Sequence, residues 1–169
     1  MAPHHSQRRK AQLTQKEADI WRRAVAVVMT VGPMIETDLQ KAGSLSFFEF
    51  QVLSALHDAD GALTMSQLAE RCNSSLSRLS HVARKLEERD VIIRTPATSD
   101  KRVTMAELTP QGEKEVEKVQ GRYADSVRRR VLSVFDDEDL ETIDDLFSQL
   151  LEEIDPDHWL LDYEDEEDD

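Results

Sequence analysis

Residues 64–108 decide the fold: TMSQLAERCNSSLSRLSHVARKLEERDVIIRTPATSDKRVTMAEL. Thr64-Met65-Ser66-Gln67 has the spacing of a capping box, in which hydroxyl and side-chain amide reciprocally satisfy orphan N–H groups at a helix start. That helix is expected to run to about Arg71, and Asn73-Ser74-Ser75 caps a second one running to about Arg89. Leu68, Ala69, Cys72, Leu79 and Val82 fall where two crossed helices need small or apolar packing residues. Asn73 occupies the turn, where a residue tolerant of left-handed backbone is wanted. The texture then changes. Val91-Ile92-Ile93-Arg94-Thr95 and Arg102-Val103-Thr104-Met105-Ala106 are rich in β-branched residues and flank the turn-like Pro96–Lys101, which predicts a two-stranded β-hairpin with a polar tip.

Helix, sharp turn, helix and ribbon are the layout of a winged helix-turn-helix. Working outward, Thr14-Gln15-Lys16-Glu17 opens a long first helix in which Ile20, Ala24, Val27, Val28, Val31, Ile35 and Leu39 keep a 3.6-residue period to about Gln40. Gly32-Pro33 is expected to bend or locally break it. Ser46-Phe47-Phe48-Glu49 starts a second helix bearing Val52, Leu53 and Leu56. On the other side, Thr109-Pro110 opens a helix with Val116, Val119, Val127, Val131 and Val134 on one side. Asp136 caps a last helix bearing Leu140, Ile143, Leu146, Phe147, Leu150, Leu151 and Ile154, and Asp155-Pro156 stops it. The fold class is therefore mainly α with a small β-wing: a winged helix-turn-helix plus a helical region from the terminal helices, read as a dimerisation region because they carry more apolar residues than so small a wing domain can cover. The chain divides into a flexible basic start (1–13), an N-terminal dimerisation helix (14–42), the winged domain (44–108), C-terminal dimerisation helices (109–161) and an acidic, disordered tail (162–169).

The second helix of the motif has two faces. Leu76, Leu79, Val82, Ala83 and Leu86 form an apolar stripe, while Ser74, Ser77, Arg78, His81 and Lys85 fall opposite, with Ser75 and Arg84 near the edges. Short hydroxyls allow close approach to phosphate or base edges, and Arg78 and His81 are long enough to reach base edges in a major groove. The alternative is an ordinary solvated helix face, which the preceding short helix and following wing disfavour. Ser74, Ser75, Ser77, Arg78 and His81 are thus candidates for base and nearby phosphate contacts, and Lys85, Arg94, Lys101 and Arg102 for phosphate or minor-groove contacts. Asp100 is also placed to brace the wing turn by pairing with Arg102.

Charge tests this reading. The 169 residues carry a formal charge of −14, which argues against a surface that is attractive to nucleic acid everywhere. The distribution removes the objection: residues 136–169 hold 18 acidic side chains and no Lys or Arg, leaving +4 on residues 1–135. Competition between the acidic tail and DNA for the basic face is a further expectation. Five Gly and five Pro disfavour a many-stranded sandwich or barrel. The lone cysteine excludes an internal disulfide or multi-cysteine zinc site and suits a reducing cytoplasm. The apolar run Ala24–Ile35 is too short to span a bilayer. No metal-ligand spacing, phosphate-cradling glycine loop or nucleophile elbow is present, so neither an enzyme nor a cofactor is expected. A winged protein-interaction module that has lost DNA binding is the alternative, and its recognition face should be stripped of the cations that remain here.

At these residues the chain resembles the MarR (multiple-antibiotic-resistance regulator) family of bacterial winged-helix proteins, over about residues 15–155. The resemblance lies in Leu45–Leu53, Met65–Glu70 and Leu79–Glu88, and above all in Asp100-Lys101-Arg102 followed by Leu108-Thr109-Pro110-Gln111-Gly112. Asp90 departs from it, standing where the family usually has Gly. The resemblance implies a homodimeric DNA-binding transcriptional regulator, a repressor whose recognition helices enter successive major grooves of a pseudo-palindrome. The apolar content of the terminal helices, with Trp159-Leu160-Leu161, independently argues for a subunit interface. It further implies a small-molecule effector pocket near His57, and Trp21 and Arg22 are candidate pocket residues for an aromatic or anionic ligand; a satisfied structural histidine and an arginine that is solvated or faces phosphate are the competing readings. Cys72, at a packing position, reads as a buried structural thiol rather than a redox switch.

Overall fold

Each predicted helix start carries its side-chain cap. The computed structural model describes residues 12–43, 45–59 and 61–161. The helices are α1 (Gln15–Gly43), α2 (Phe47–Asp58), α3 (Met65–Arg71), α4 (Leu76–Glu88), α5 (Pro110–Arg130) and α6 (Asp137–Ile154). Thr14 and Glu17 exchange hydrogen bonds ahead of α1, and Ser46 with Glu49 and Thr64 with Gln67 form complete capping boxes. Ser75, Thr109 and Asp136 cap the other three helices. The expected N-terminal arm lies outside the described residues through position 11, as does the acidic tail from 162 onward.

The expected local break of α1 does not occur; the helix runs through Gly32-Pro33. A proline removes one backbone hydrogen bond and crowds the residue before it. Gly32 has no Cβ to meet the proline ring, and the rest of the 29-residue helix outweighs one lost bond.

The ribbon also differs from expectation. Its strands, β2 (Ile92–Pro96) and β3 (Thr104–Leu108), are joined by a third, β1 (Leu63–Thr64), in the antiparallel order β1-β3-β2. Leu63 pairs with Ala106 and Arg94 pairs with Ala106 from the other side, so β3 is the central strand. A two-residue strand is too short to show a period of two, which is why the sequence does not announce it. The second strand, expected from Arg102, starts two residues later. Arg102 and Val103 belong to the turn, which Ala97 N–H closes onto the Val103 carbonyl at 2.8 Å.

The core lies where α2, α3, α4, the sheet and α5 meet. Leu45, Leu53, Leu56, Leu68, Leu79, Leu86, Val91, Ile92, Ala106, Val116 and Val119 are all essentially inaccessible to solvent. The rings of Phe47 and Phe50 pack on Tyr123 of α5. The far end of α1 is held to α5 by Asp38, which accepts from the Ser126 hydroxyl at 2.7 Å and from Arg130 Nε at 2.8 Å. Arg130, then Ser126, holds the Asp38 carboxyl well below the usual carboxylate range.

Beyond that core, apolar side chains are left uncovered. Ile20, Trp21, Val27, Val28 and Met29 are exposed on α1, as are Leu146, Phe147, Leu150 and Ile154 on α6, which buries no residue at all. Two sequence assignments shift accordingly. Helix α5 ends at Arg130, and Val134 falls in a following one-turn 3-10 helix, 73% exposed. Leu76, expected in the apolar stripe of α4, is half exposed because it sits at the first turn, beyond the packing of α3.

Candidate nucleic-acid interface

Helix α4 is aimed by its turn. Asn73 adopts φ 46°, the left-handed conformation its position demands. Its N–H bonds the Glu70 carbonyl at 2.9 Å, and Ser74 N–H bonds the Ala69 carbonyl at 2.9 Å, fixing the angle at which α4 leaves α3. Asp90 closes the other end of α4 at φ 58°, in the left-handed region that glycine adopts most readily and Asp tolerates. Leu79, Ala83 and Leu86 face the core, while Ser77, Arg78, His81, Arg84 and Lys85 are exposed. The expected face therefore exists as a single outward surface.

Its members are not equally free. Ser75 Oγ accepts the Arg78 N–H at 3.3 Å as the helix cap, which leaves its own hydroxyl hydrogen available. Ser74 is half-buried, with Oγ 3.3 Å from the Ser75 carbonyl. The Arg78 guanidinium lies over the Phe48 ring of α2, 4.1 Å from its centroid. Stacking occupies the face of a guanidinium and leaves its in-plane donors at the edge, so Phe48 orients Arg78 without consuming its hydrogen bonds. Sequence reasoning misses Phe48 as a site residue, because a half-buried aromatic beside two others reads as core.

In the wing, Asp100 makes the expected brace. Its Oδ1 accepts from Arg102 N–H at 2.9 Å and Nε at 3.1 Å, and Oδ2 from Nη2 at 3.1 Å. Arg102 holds the Asp100 carboxyl below its ordinary range, yet its own side chain is 91% exposed. Lys101 beside it is exposed. Arg94 differs: its Nε donates to Glu87 at 3.1 Å, tying the wing to α4, and the side chain is largely covered. A cleft of about 290 Å³ between α3, α4 and the wing is lined by Thr64, Ser66, Ser80, Arg94 and Arg102 among others.

A joint at the root of the wing positions it against α4, and this gives a physical account of the Leu-Thr-Pro-Gln-Gly segment. Thr109 Oγ1 donates to the Asp90 carbonyl at 2.6 Å and accepts the Gly112 N–H at 3.1 Å. Thr109 N–H bonds the Val91 carbonyl at 3.1 Å, and Gln111 reaches the Arg89 carbonyl at 3.2 Å. Arg89 in turn pairs with Glu115 of α5.

The candidate effector residues are not gathered in one cavity. His57 Nδ1 lies 2.8 Å from Glu113 of α5, whereas Trp21 and Arg22 are on the uncovered part of α1, Arg22 pairing with Asp19. None of the three lines the wing cleft or the open groove at Asp125, Arg128, Arg129, Leu132, Ser133 and Leu140. Cys72 is buried, and burial pushes its thiol up to about 11. A disulfide reagent at pH 8 should therefore leave the native chain unmodified and titrate one thiol after unfolding in urea; rapid native reaction would overturn the structural assignment. Among the described residues no group of His, Cys, Asp or Glu could hold a metal ion, and no helix is long and apolar enough to cross a membrane.

Comparison with known proteins agrees with this geometry. The model of the MarR family matches residues 44–103. The HTH-type transcriptional repressor MdtR of Bacillus subtilis (strain 168) is 31% identical over 127 residues, which are 75% of this chain and 79% of that protein. The chain belongs to the MarR family. It is a DNA-binding transcriptional regulator of the MarR type, and the family is one of regulators rather than enzymes. AbsC, a MarR family regulator from Streptomyces coelicolor, superposes with a TM-score of 0.80 at 31% identity, covering 85% of this chain and 97% of AbsC. Sco3205, a MarR family regulator from the same organism solved in complex with DNA, gives 0.81 at 25% identity, covering 88% and 96%.

Proposed function

We propose that this MarR family regulator is a homodimeric repressor that reads a pseudo-palindromic operator with one α4 helix per half-site. The observation that carries the reading is the single exposed face of Ser77, Arg78, His81 and Lys85, flanked by the braced cations of the wing. Two such helices related by a two-fold axis would meet successive major grooves one helical turn apart. Lys101 and Arg102 would then lie against the phosphates or minor groove beyond each half-site. The exposed apolar faces of α1 and α6 supply the subunit interface. A small-molecule effector would act by favouring a dimer whose α4 helices are differently spaced, which requires unequal affinity for the two states. A pocket using Trp21 and Arg22 would take its remaining walls from the second protomer.

Selection of bound fragments from genomic DNA, with the upstream region of the protein's own gene included, tests the reading; recovery of no enriched sequence would instead favour a protein-interaction module. With the operator in hand, Arg78→Ala should cost about 1–3 kcal/mol of specific affinity and relax sequence preference. Lys101→Ala should weaken all duplexes alike and reduce the salt slope by about one. Phe48→Leu should follow Arg78→Ala in direction and add nothing to it in the double variant, as expected of a residue acting through the guanidinium. Unchanged specificity in Arg78→Ala would sink the assignment of this face.

A further inference from the structure

The last described segment returns to the helix-turn-helix. After α6, residues Trp159–Leu161 form one turn of 3-10 helix, and His158 just before it is 6% exposed. Its Nε2 lies 3.0 Å from Asn73 Oδ1, and Leu160 N–H donates to its Nδ1 at 3.3 Å. A ring nitrogen that accepts an N–H carries no proton, so Nε2 holds the hydrogen and donates it to Asn73. The Arg71 guanidinium lies 5.5 Å from the centroid of the Trp159 ring, a second contact between the same two segments. Asn73 is the left-handed residue of the turn, two positions before the cap of α4. Leu161 N–H bonds the His158 carbonyl at 2.9 Å, so the chain leaves the described residues within one turn of the anchored ring.

The final eight residues are Asp162-Tyr163-Glu164-Asp165-Glu166-Glu167-Asp168-Asp169, with seven carboxylates and no cation. Their point of departure follows the anchor on Asn73, in the turn that leads into α4 with its exposed Arg78, Arg84 and Lys85. Eight residues reach at most about 26–29 Å, whereas the 13 residues of α4 span about 20 Å. We propose that residues 162–169 are a tethered anionic competitor: anchored through His158 at the start of the recognition helix, they occupy its cationic face until DNA displaces them. A segment joined this closely has an effective concentration of about a millimolar. While bound, it would lower the apparent affinity for every duplex by the same factor, so weak non-specific binding falls below working concentrations before operator binding does. The tail thereby keeps the regulator off non-specific DNA without changing the ratio of the two affinities. This inference rests on α4 being the DNA-reading helix.

The test measures binding of a random-sequence 30-base-pair duplex by fluorescence anisotropy at 50 and 200 mM salt. It compares the full chain, the chain ending at Leu161, and His158→Ala in both lengths, each checked for folding by its thermal transition. Truncation should raise non-specific affinity about 3- to 10-fold at 50 mM salt and much less at 200 mM. His158→Ala should recover part of that gain in the full chain and none in the truncated one. Twelve Gly/Ser residues inserted after Leu161 should act like His158→Ala without touching the helix-turn-helix, and replacing the seven acids by Asn and Gln should act like truncation. Equal affinity of long and short chains overturns the proposal, as does an equal effect of His158→Ala in both. Absence of DNA binding by every variant would overturn the reading of α4 instead.

Discussion

Gly112→Ala should lower the stability of the chain by more than about 3 kcal/mol, the upper end of what overpacking ordinarily costs. An added Cβ would lie 2.0 Å from the Val91 carbonyl oxygen, 3.0 Å from its carbon and 3.1 Å from Leu108 Cδ2. Two of those three atoms are backbone and cannot rotate away. The Val91 carbonyl is also held by Thr109 N–H, and Gly112 N–H is held by Thr109 Oγ1. Relief thus requires the start of α5 to lift from the junction of α4 and β2, breaking both bonds and uncovering Val116 and Val119. A loss of 3 kcal/mol corresponds to a fall of roughly 6–12 °C in Tm for a domain of this size, measurable by circular dichroism. Gly121→Ala is the internal control: nothing lies within 4 Å of its added Cβ, and glycine in a helix interior is about 0.5–1 kcal/mol worse than alanine, so Tm should rise slightly. Equal melting of Gly112→Ala and the parent chain would refute the joint.

That joint also shows where sequence reading reaches and where it stops. Helix starts are legible because a cap is a local event: a hydroxyl or carboxylate and an amide three residues on, written in adjacent positions. The left-handed residues Asn73 and Asp90 are legible for the same reason. The Asp100–Arg102 brace needs only two residues of separation. The glycine of the Leu-Thr-Pro-Gln-Gly segment can be quoted as part of a resemblance, but its cause, the Val91 carbonyl 21 positions earlier, is a tertiary contact that no local pattern encodes. The stacking of Phe48 on Arg78 and the anchoring of His158 on Asn73 are of the same kind, being 30 and 85 positions apart. Arg94 shows the same limit from the side of charge. A cation on a wing strand reads as available to phosphate until folding brings Glu87 beside it. The continuity of α1 through Pro33 is hidden because proline's effect on a long helix depends on what the remaining turns contribute.

If the regulator is the proposed homodimer, Phe147→Glu should convert it to a monomer and reduce operator affinity by about 10²- to 10⁴-fold. In the single chain Phe147 is 67% exposed, and its neighbours Leu146, Leu150 and Ile154 are exposed too. Helix α6 buries none of its 18 residues; nothing among the described residues covers its apolar stripe, and a second protomer of the proposed dimer would. A carboxylate in the middle of that contact would have to be desolvated without a partner, which disfavours association by several kcal/mol. The separate core around Leu53, Leu79 and Leu86 does not use Phe147, so each monomer should keep its α4 face and bind a half-site. The variant loses the second half-site held at high effective concentration, which is the source of the expected fall in affinity. Light scattering at micromolar concentration gives the mass. The parent chain's Tm should rise with protein concentration, as association with a partner subunit demands, while that of Phe147→Glu should not. A parent chain of monomer mass would remove the two-fold reading of the operator, and a Phe147→Glu dimer with full affinity would move the interface away from α6.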